Sequence, residues 1–459
     1  MKLDKLFINS TIVSSTGRFR GCVGVKDGLV AVISETSDGY EAGETIDLGG
    51  KFILPGLIDG HIHFQDPGLT HREDFEHATA AAASGGITMC LSHPMNVPAI
   101  VDVDTYNANV AAYKGRAYID YGVHGGAVET NLDKVDELWK TTGATTIKMF
   151  MCFSVVDFPF VQDDAMYSHL EILAKNDGIA LIHCENDLII KRMEKILQAE
   201  GKNDGMAYNA SHPDYAEVEA IQRAIFFLEK TGARAIIVHV STAEGLRLIK
   251  KAQDRGVKVF AETCPHFLTF VSDDMKVHGP FLKFSPPMHE ESNRQDLWEL
   301  LAKGYVQTIG SDHCPFTTEE KEKGRDNIWN APNGIPGLET LAPVLLNGVN
   351  DGLITLEKMV EVTSYNPSHL YGLYPKKGVI QVGSDADFTV VDMDLKKKYT
   401  AADLKSKCPW SPYFGREFKG WPVVTVVRGE MVYKDGEIVG KFGHGKYVAR
   451  PKDLPLTSV

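Results

Sequence analysis

Apolar and polar positions change their period twice along the chain. Over residues 1–50 they alternate, in "KLFINSTIVSS", "FRGCVGVKDGLVAVIS" and "ETIDLGG", and Gly, Asp and Ser break the runs. Period-two patterning with that punctuation predicts antiparallel strands. The same pattern returns near the other end, in "SDADFTVVDMD" and "VVTVVRGEMVYKDGEIV". Two β-rich ends around a different middle predict one small β domain built from both termini. Between them stand eight strand-like runs: "KFILPGLIDGHIH", "GITMCLSHP", "AYIDYGVHGG", "TTIKMFMCF", "GIALIHCEN", "ARAIIVHVS", "VKVFAETCPH" and "YVQTIGSDH". Helical patterns such as "HLEILAKND", "AEVEAIQRAIFFLEKTG" and "TAEGLRLIKKAQDRG" separate most of them. Strand–helix alternation predicts a parallel sheet, and eight units predict closure into a (β/α)8 barrel, an α/β fold. The expected division is 1–50 for the first part of the β domain, 51–375 for the barrel, and 376–459 for the rest of the β domain with a C-terminal tail.

Polar residues crowd the C-terminal ends of the runs: His61 and His63 on the first, Lys148 on the fourth, His183 on the fifth, His239 on the sixth and Asp312 on the eighth. Residues i and i+2 of a strand share a face, so His61 and His63 aim the same way. An isolated H-x-H matches often by chance, and a lone buried His is more commonly a satisfied core residue. Barrel strands open on one mouth at their C-terminal ends, and convergence from five strands argues against coincidence. Four imidazoles and a carboxylate suit Zn²⁺, and also Mn²⁺, Co²⁺ or Fe²⁺. Around one ion, four His would leave little room for substrate; divided between two divalent ions, they leave each open.

Two close cations need an anionic bridge. Lys148 lies in the apolar run "TTIKMFMCF", where burial and nearby cations would depress its pKa and yield a neutral amine. Such an amine reacts with CO₂ to form a carbamate, which makes carbamylated Lys148 the expected bridge. The alternative for this residue is an exposed lysine or an ion-pair partner. A hydroxide between the ions would be a nucleophile near neutral pH. Asp312 beside it would take its proton and hand it to a leaving nitrogen. The expected chemistry is metal-assisted amide hydrolysis.

Composition narrows the partners. Of 459 residues, 43% are hydrophobic and 24% charged, an ordinary globular mixture with room for a barrel and a smaller domain. A net charge of −13 argues against nucleic acid and anionic membranes as partners. Seven scattered cysteines with no C-x-x-C spacing fit reduced thiols in a cytosolic protein. The first residues, "MKLDKLFINSTIVSS", mix charges and lack the apolar core of a signal peptide. No run approaches the roughly 18 apolar residues of a membrane span, so a cytoplasmic location is expected.

With these motifs assembled, the sequence resembles the cyclic amidohydrolases of the amidohydrolase superfamily: hydantoinases, dihydropyrimidinases, allantoinases and dihydroorotases. "PGLIDGHIH", "GATTIKMFM", "IHCEN", "VHVS" and "GSDHCPF" look like the metal motifs, and "ETCPHFL", "SPPMHEESNR", "NGIPGLET" and "GVIQVGSDADFTVVD" like further signatures. The resemblance covers nearly the whole chain. It implies a TIM barrel with a split β-sandwich, a small-molecule cyclic amide or ureide substrate, and a homotetramer. It implies that His61, His63 and Asp312 hold one metal, His183 and His239 the other, and that carbamylated Lys148 bridges them. It also implies that Ser285 and the loop at Asn333 contact the substrate ring.

Two departures bear on the substrate. Dihydroorotases carry an Arg for the substrate carboxylate where this chain has Gln65, and a neutral amide does not replace that contact. Hydantoinases and dihydropyrimidinases usually carry a Tyr where this chain has Phe153, which has no donor. The stretches "DPG" with "THREDF", "HPMNVP" and "ADLKSKCPWSPYFGREFKG" look most like allantoinase. The expected activity is therefore ring opening of allantoin or a related hydantoin. The alternatives are a hydantoinase or dihydropyrimidinase acting on 5-substituted hydantoins or dihydropyrimidines, and a non-catalytic scaffold of the same fold, which the six filled ligand positions disfavour.

Smaller features get plainer readings. His93, His124, His266 and His313 are expected to pack or support, with His266 the leading candidate to orient a ligand. Cys152, Cys184 and Cys314 are read as small apolar packing. The run "KEKGRD" (321–326) is expected to be a solvated loop. "VVDFPFVQDDAMY" is expected to form either a hydrophobic gate over the substrate or ordinary core.

Overall fold

The computed structural model describes residues 2–452; the end of the expected C-terminal tail, 453–459, lies outside the described residues. Eight parallel strands form the barrel: β1 Leu57–Ile62, β2 Ile87–Ser92, β3 Asp120–Val123, β4 Ile147–Phe150, β5 Ile179–His183, β6 Arg234–Ile237, β7 Val259–Thr263 and β8 Thr308–Ile309. β1 pairs with β2 and β2 with β3. β4 through β8 pair in sequence order. Beyond His124, Gly125–Gly126 continues the line of β3 and pairs with β4. The ring closes where Ile62 bridges to His313, just past β8, and where the His63 amide donates to the His313 carbonyl at 2.9 Å.

These strands are buried on both faces, which is why they read as unbroken apolar runs. No residue of β1, β2, β4, β5 or β6 is exposed. The helices between them start on polar caps. Asp102 forms a capping box with Thr105, Asp74 accepts from the His77 amide and Thr242 from the Gly245 amide; each such cap is worth about 1 kcal/mol. Asp214–Thr231 stops at Gly232, whose φ of 71° lies in the left-handed region where glycine is favoured.

The β-rich ends form a single nine-stranded sheet, the β-sandwich domain. Phe52–Pro55 joins its halves, pairing in parallel with Leu3–Val13 and antiparallel with Phe388–Lys398. Phe7, Val23, Ile53, Phe388, Val390 and Val426 fill the core it encloses. The first strand-like run of the middle is thus two strands, Phe52–Pro55 in the sheet and Leu57–Ile62 in the barrel. Gly56 separates them, and a Cβ there would lie 2.1 Å from the Thr88 hydroxyl oxygen. Among the described residues no helix is long and apolar enough to cross a membrane.

Candidate active site

A cavity of about 680 Å³ lies at the C-terminal ends of the barrel strands, and the ten residues expected to hold metal or touch substrate all line it. His61 and His63, at the end of β1, aim their Nε2 atoms at one oxygen of Asp312, at 3.2 and 3.1 Å. His61 Nδ1 faces Glu262 Oε1 on β7 at 2.6 Å, which leaves Nε2 for the mouth. Burial, with His93 and Lys148 close by, holds the His61 pKa well below its usual value, so the ring is neutral, as a ligand must be. Nitrogen and oxygen atoms of His61, His239 and Asp312 lie within 4.8 Å of one another, and so do nitrogens of His61, His63 and His93.

On the other side of the mouth, the His183 and His239 rings stand 4.4 Å apart, edge to face. His183 Nε2 meets Glu185 Oε2 at 2.8 Å, and the Ser285 hydroxyl donates to the same oxygen at 2.6 Å. Burial alone would raise the Glu185 pKa, but the hydrogen bond from His183 and the charges around it hold it below the usual value. Glu185 therefore ties the imidazole of β5 to Ser285.

Lys148 sits between the two groups, fully buried on β4, with its Nζ 4.5 Å from the centroid of the Phe150 ring and no hydrogen-bond partner. Burial lowers its pKa to about 8, against the pull of Asp312 and Glu262. His239 Nδ1 is likewise buried and unpartnered. Buried polar atoms are almost always satisfied, so unpaired nitrogens beside neutral imidazoles and a carboxylate fit a site built for cations and a modified lysine. Three site residues, Gln65, His239 and Asp312, have φ of 59°, 39° and 46°. Non-glycine residues in that region are strained, and such strain concentrates at functional sites.

The remaining predicted residues ring the opening. Gln65 is buried, with its amide 3.7 Å from the Cys314 sulfur, and brings no charge. Phe153 is 55% exposed and offers a ring where a phenol would offer a donor. Asn333 lines the cavity from the loop at 331–334.

Two expectations are corrected. His266 packs on Phe267 and Phe284 at 4.2 Å and its Nε2 has no partner; the group that holds His61 is Glu262. The run at 321–326 is not uniformly solvated, because Lys321 is completely buried on the short helix Thr318–Glu322. Glu185 and Glu262 were missed although "IHCEN" and "FAETCPH" carried a signal, a carboxylate at the C-terminal end of an apolar strand.

Comparison with known proteins places the geometry in context. Residues 52–432 match the model of the amidohydrolase family. The chain is 38% identical over 450 residues to the L-hydantoinase of Paenarthrobacter aurescens, covering 97% of this chain and 98% of that protein. It is 33% identical over 443 residues to an allantoinase of Deinococcus radiodurans, covering 96% and 97%. A solved L-hydantoinase (dihydropyrimidinase) from Arthrobacter aurescens superposes with a TM-score of 0.96 at 38% identity, covering 98% of this chain and 100% of that one.

Proposed function

The chain belongs to the amidohydrolase family, and from that premise we propose that it is a cyclic-amide hydrolase that opens five-membered hydantoin-type rings. The observation that carries the reading is the convergence of four imidazoles, one carboxylate and an unpartnered buried lysine on one mouth. In this reading His61, His63 and Asp312 would hold one divalent ion, zinc or manganese, cobalt or iron, and His183 and His239 would hold the other. Lys148, as its carbamate, would supply the anionic group between them. Bound there, the ions would polarise the amide carbonyl and acidify a water.

The chain's own groups do the rest. Asp312 has an oxygen 3.1–3.2 Å from both β1 imidazoles, placed to take a proton from the attacking water and return it to the leaving ring nitrogen. Glu262 and Glu185 fix the orientation of His61 and His183. Phe153 cannot donate to a developing oxyanion, so that part would fall to the bound ions, while backbone groups near Ser285 and Asn333 would hold the ring.

The wall of the cavity bears on the ring's substituent. Met95, Val97, Phe153, Val155, Val156 and Phe316 give the wall an apolar portion beside charged side chains such as Arg72, Asp187 and Glu194, and that portion suits an apolar 5-substituent better than a ureide. Of the stretches that look like allantoinase, "HPMNVP" gives Met95 and Val97 to the wall, while "THREDF" and the stretch at 402–420 are tied to each other. Glu73 of "THREDF" accepts from the Ser406 hydroxyl and the Lys407 amide, and the Trp410 indole donates to the Phe316 carbonyl. Mutual bracing of that kind does not select a substituent. The apolar portion of the wall and the likeness to an L-hydantoinase therefore favour 5-substituted hydantoins, with allantoin as the second reading. A turnover panel with Zn²⁺- or Mn²⁺-loaded protein tests this. Hydantoins with 5-alkyl or 5-benzyl groups should show the highest kcat/KM, allantoin less, dihydrouracil less again, and dihydroorotate essentially none. Dihydroorotate as the best substrate would overturn the argument from Gln65.

A further inference from the structure

We infer that Lys283 and Lys321 form a two-lysine clamp that positions the loop at 331–334 against the segment at 283–285, and so sets ring binding and not the chemical step. Both segments supply residues to the cavity wall, Lys283 and Ser285 from one, Asn333 and Gly334 from the other. The inference rests on the reading that Ser285 and Asn333 face the substrate ring.

The clamp is visible bond by bond. Lys321 Nζ donates to the Pro332 carbonyl at 2.9 Å and to the Lys283 carbonyl at 3.3 Å. Lys283 Nζ donates to the Ala331 carbonyl at 2.6 Å. The Gly334 amide donates back to the Lys283 carbonyl at 3.0 Å. Three carbonyls, on residues 283, 331 and 332, thus meet two ammonium groups and one amide immediately beside Asn333. Aromatic rings close over the cations: Tyr208 lies 4.6 Å from Lys283 Nζ, and Trp410 and Phe316 lie 5.5 and 5.7 Å from Lys321 Nζ. Among the described residues neither nitrogen has a carboxylate within 4.0 Å, and Glu194 and Glu320 act on them only from farther away.

Burying an ammonium without a counter-charge is costly, and an apolar side chain of similar length would fill the space without that cost. Burial lowers the pKa of Lys321 to about 7 and that of Lys283 to about 8, in keeping with that cost. What the lysines supply and a methionine would not is N–H donors to loop carbonyls, charge-assisted whenever the amine is protonated. Those carbonyls belong to a loop without helix or strand structure of its own, which would otherwise be free to shift.

The test is Lys321→Met in the metal-loaded full-length protein, a change that keeps the buried stem and removes the donors. With 5-methylhydantoin as substrate, metal content should be unchanged, kcat should stay within about twofold, and KM should rise about tenfold. Amide exchange across 326–338, read by mass spectrometry, should quicken. Lys283→Met, which cuts only the Ala331 tie, should move KM and exchange in the same direction and by less; it decides the matter if Lys321→Met does not fold. Unchanged KM and exchange in the folded variants would overturn the clamp, as would a fall in kcat with loss of metal and unaltered KM. Wild-type protein inert on every cyclic amide would instead refute the proposed function, and the exchange measurement would still read the clamp.

Discussion

Lys148 and Lys321 are both completely buried, and they differ in what their nitrogens meet. Lys321 finds two carbonyls; Lys148 finds nothing, beside neutral imidazoles and a carboxylate. That contrast separates a lysine that holds structure from one that awaits a partner. The carboxylates behind the imidazoles matter in the same way, because a hydrogen bond to one ring nitrogen fixes which nitrogen faces the ion. Glu262→Gln should keep the fold and weaken metal retention about 10- to 100-fold, measured by competition with a chelator. Unchanged retention would show that His61 needs no such support. The six candidate ligands were legible in the sequence because ionisable residues at the ends of apolar strands stand out. Glu185 and Glu262 carry the same signal, but a second layer of partners becomes visible only when β7 is seen beside β1. Lys321 was not legible, since nothing in "KEKGRD" says which charge faces a wall of carbonyls.

At the scale of elements, strands set the chemistry and loops set access. Period and run length were enough to count the barrel strands. They did not show that "KFILPGLIDGHIH" divides at Gly56, because apolar patterning continues through a glycine whose requirement is a close approach to Thr88. The loop after β4, expected to be either gate or core, divides its side chains between core and cavity. Phe158 is fully buried against Phe150 and Val128, while Phe153 and Val156 are 55% and 81% exposed and line the cavity. An anchored loop that shows apolar side chains to the mouth should grip a substrate's apolar substituent. Val156→Ser should raise KM for 5-benzylhydantoin roughly three- to tenfold, the scale of losing part of one apolar contact, and leave unsubstituted hydantoin unaffected. Steady-state kinetics with the two substrates checks this, and an equal rise for both would place the loop's role elsewhere.

At the scale of the molecule, barrel and sheet are joined by a buried ionic cluster. Lys377 Nζ lies 2.5, 2.8 and 2.7 Å from Asp120, Asp385 and Asp387, and Arg428 also pairs with Asp120. Asp120 begins β3, Asp387 leads into the sheet strand Phe388–Lys398, and Arg428 follows Glu417–Val427. Removing one member of such a cluster leaves buried charge uncompensated, at a cost of about 3–5 kcal/mol. The β-rich termini were legible as one domain from their shared period. This cluster was not, because its members lie far apart in the chain. The whole arrangement presents one site at one mouth, and its central claim is that two divalent ions there make the chain a cyclic-amide hydrolase. The most direct test is to strip the protein of metal and titrate it with Zn²⁺ or Mn²⁺ while following ring opening of 5-methylhydantoin. The account predicts activity that rises from near zero to a plateau at about two ions per chain, with Lys148→Ala failing to reach it. Full turnover in the metal-free protein would contradict the account.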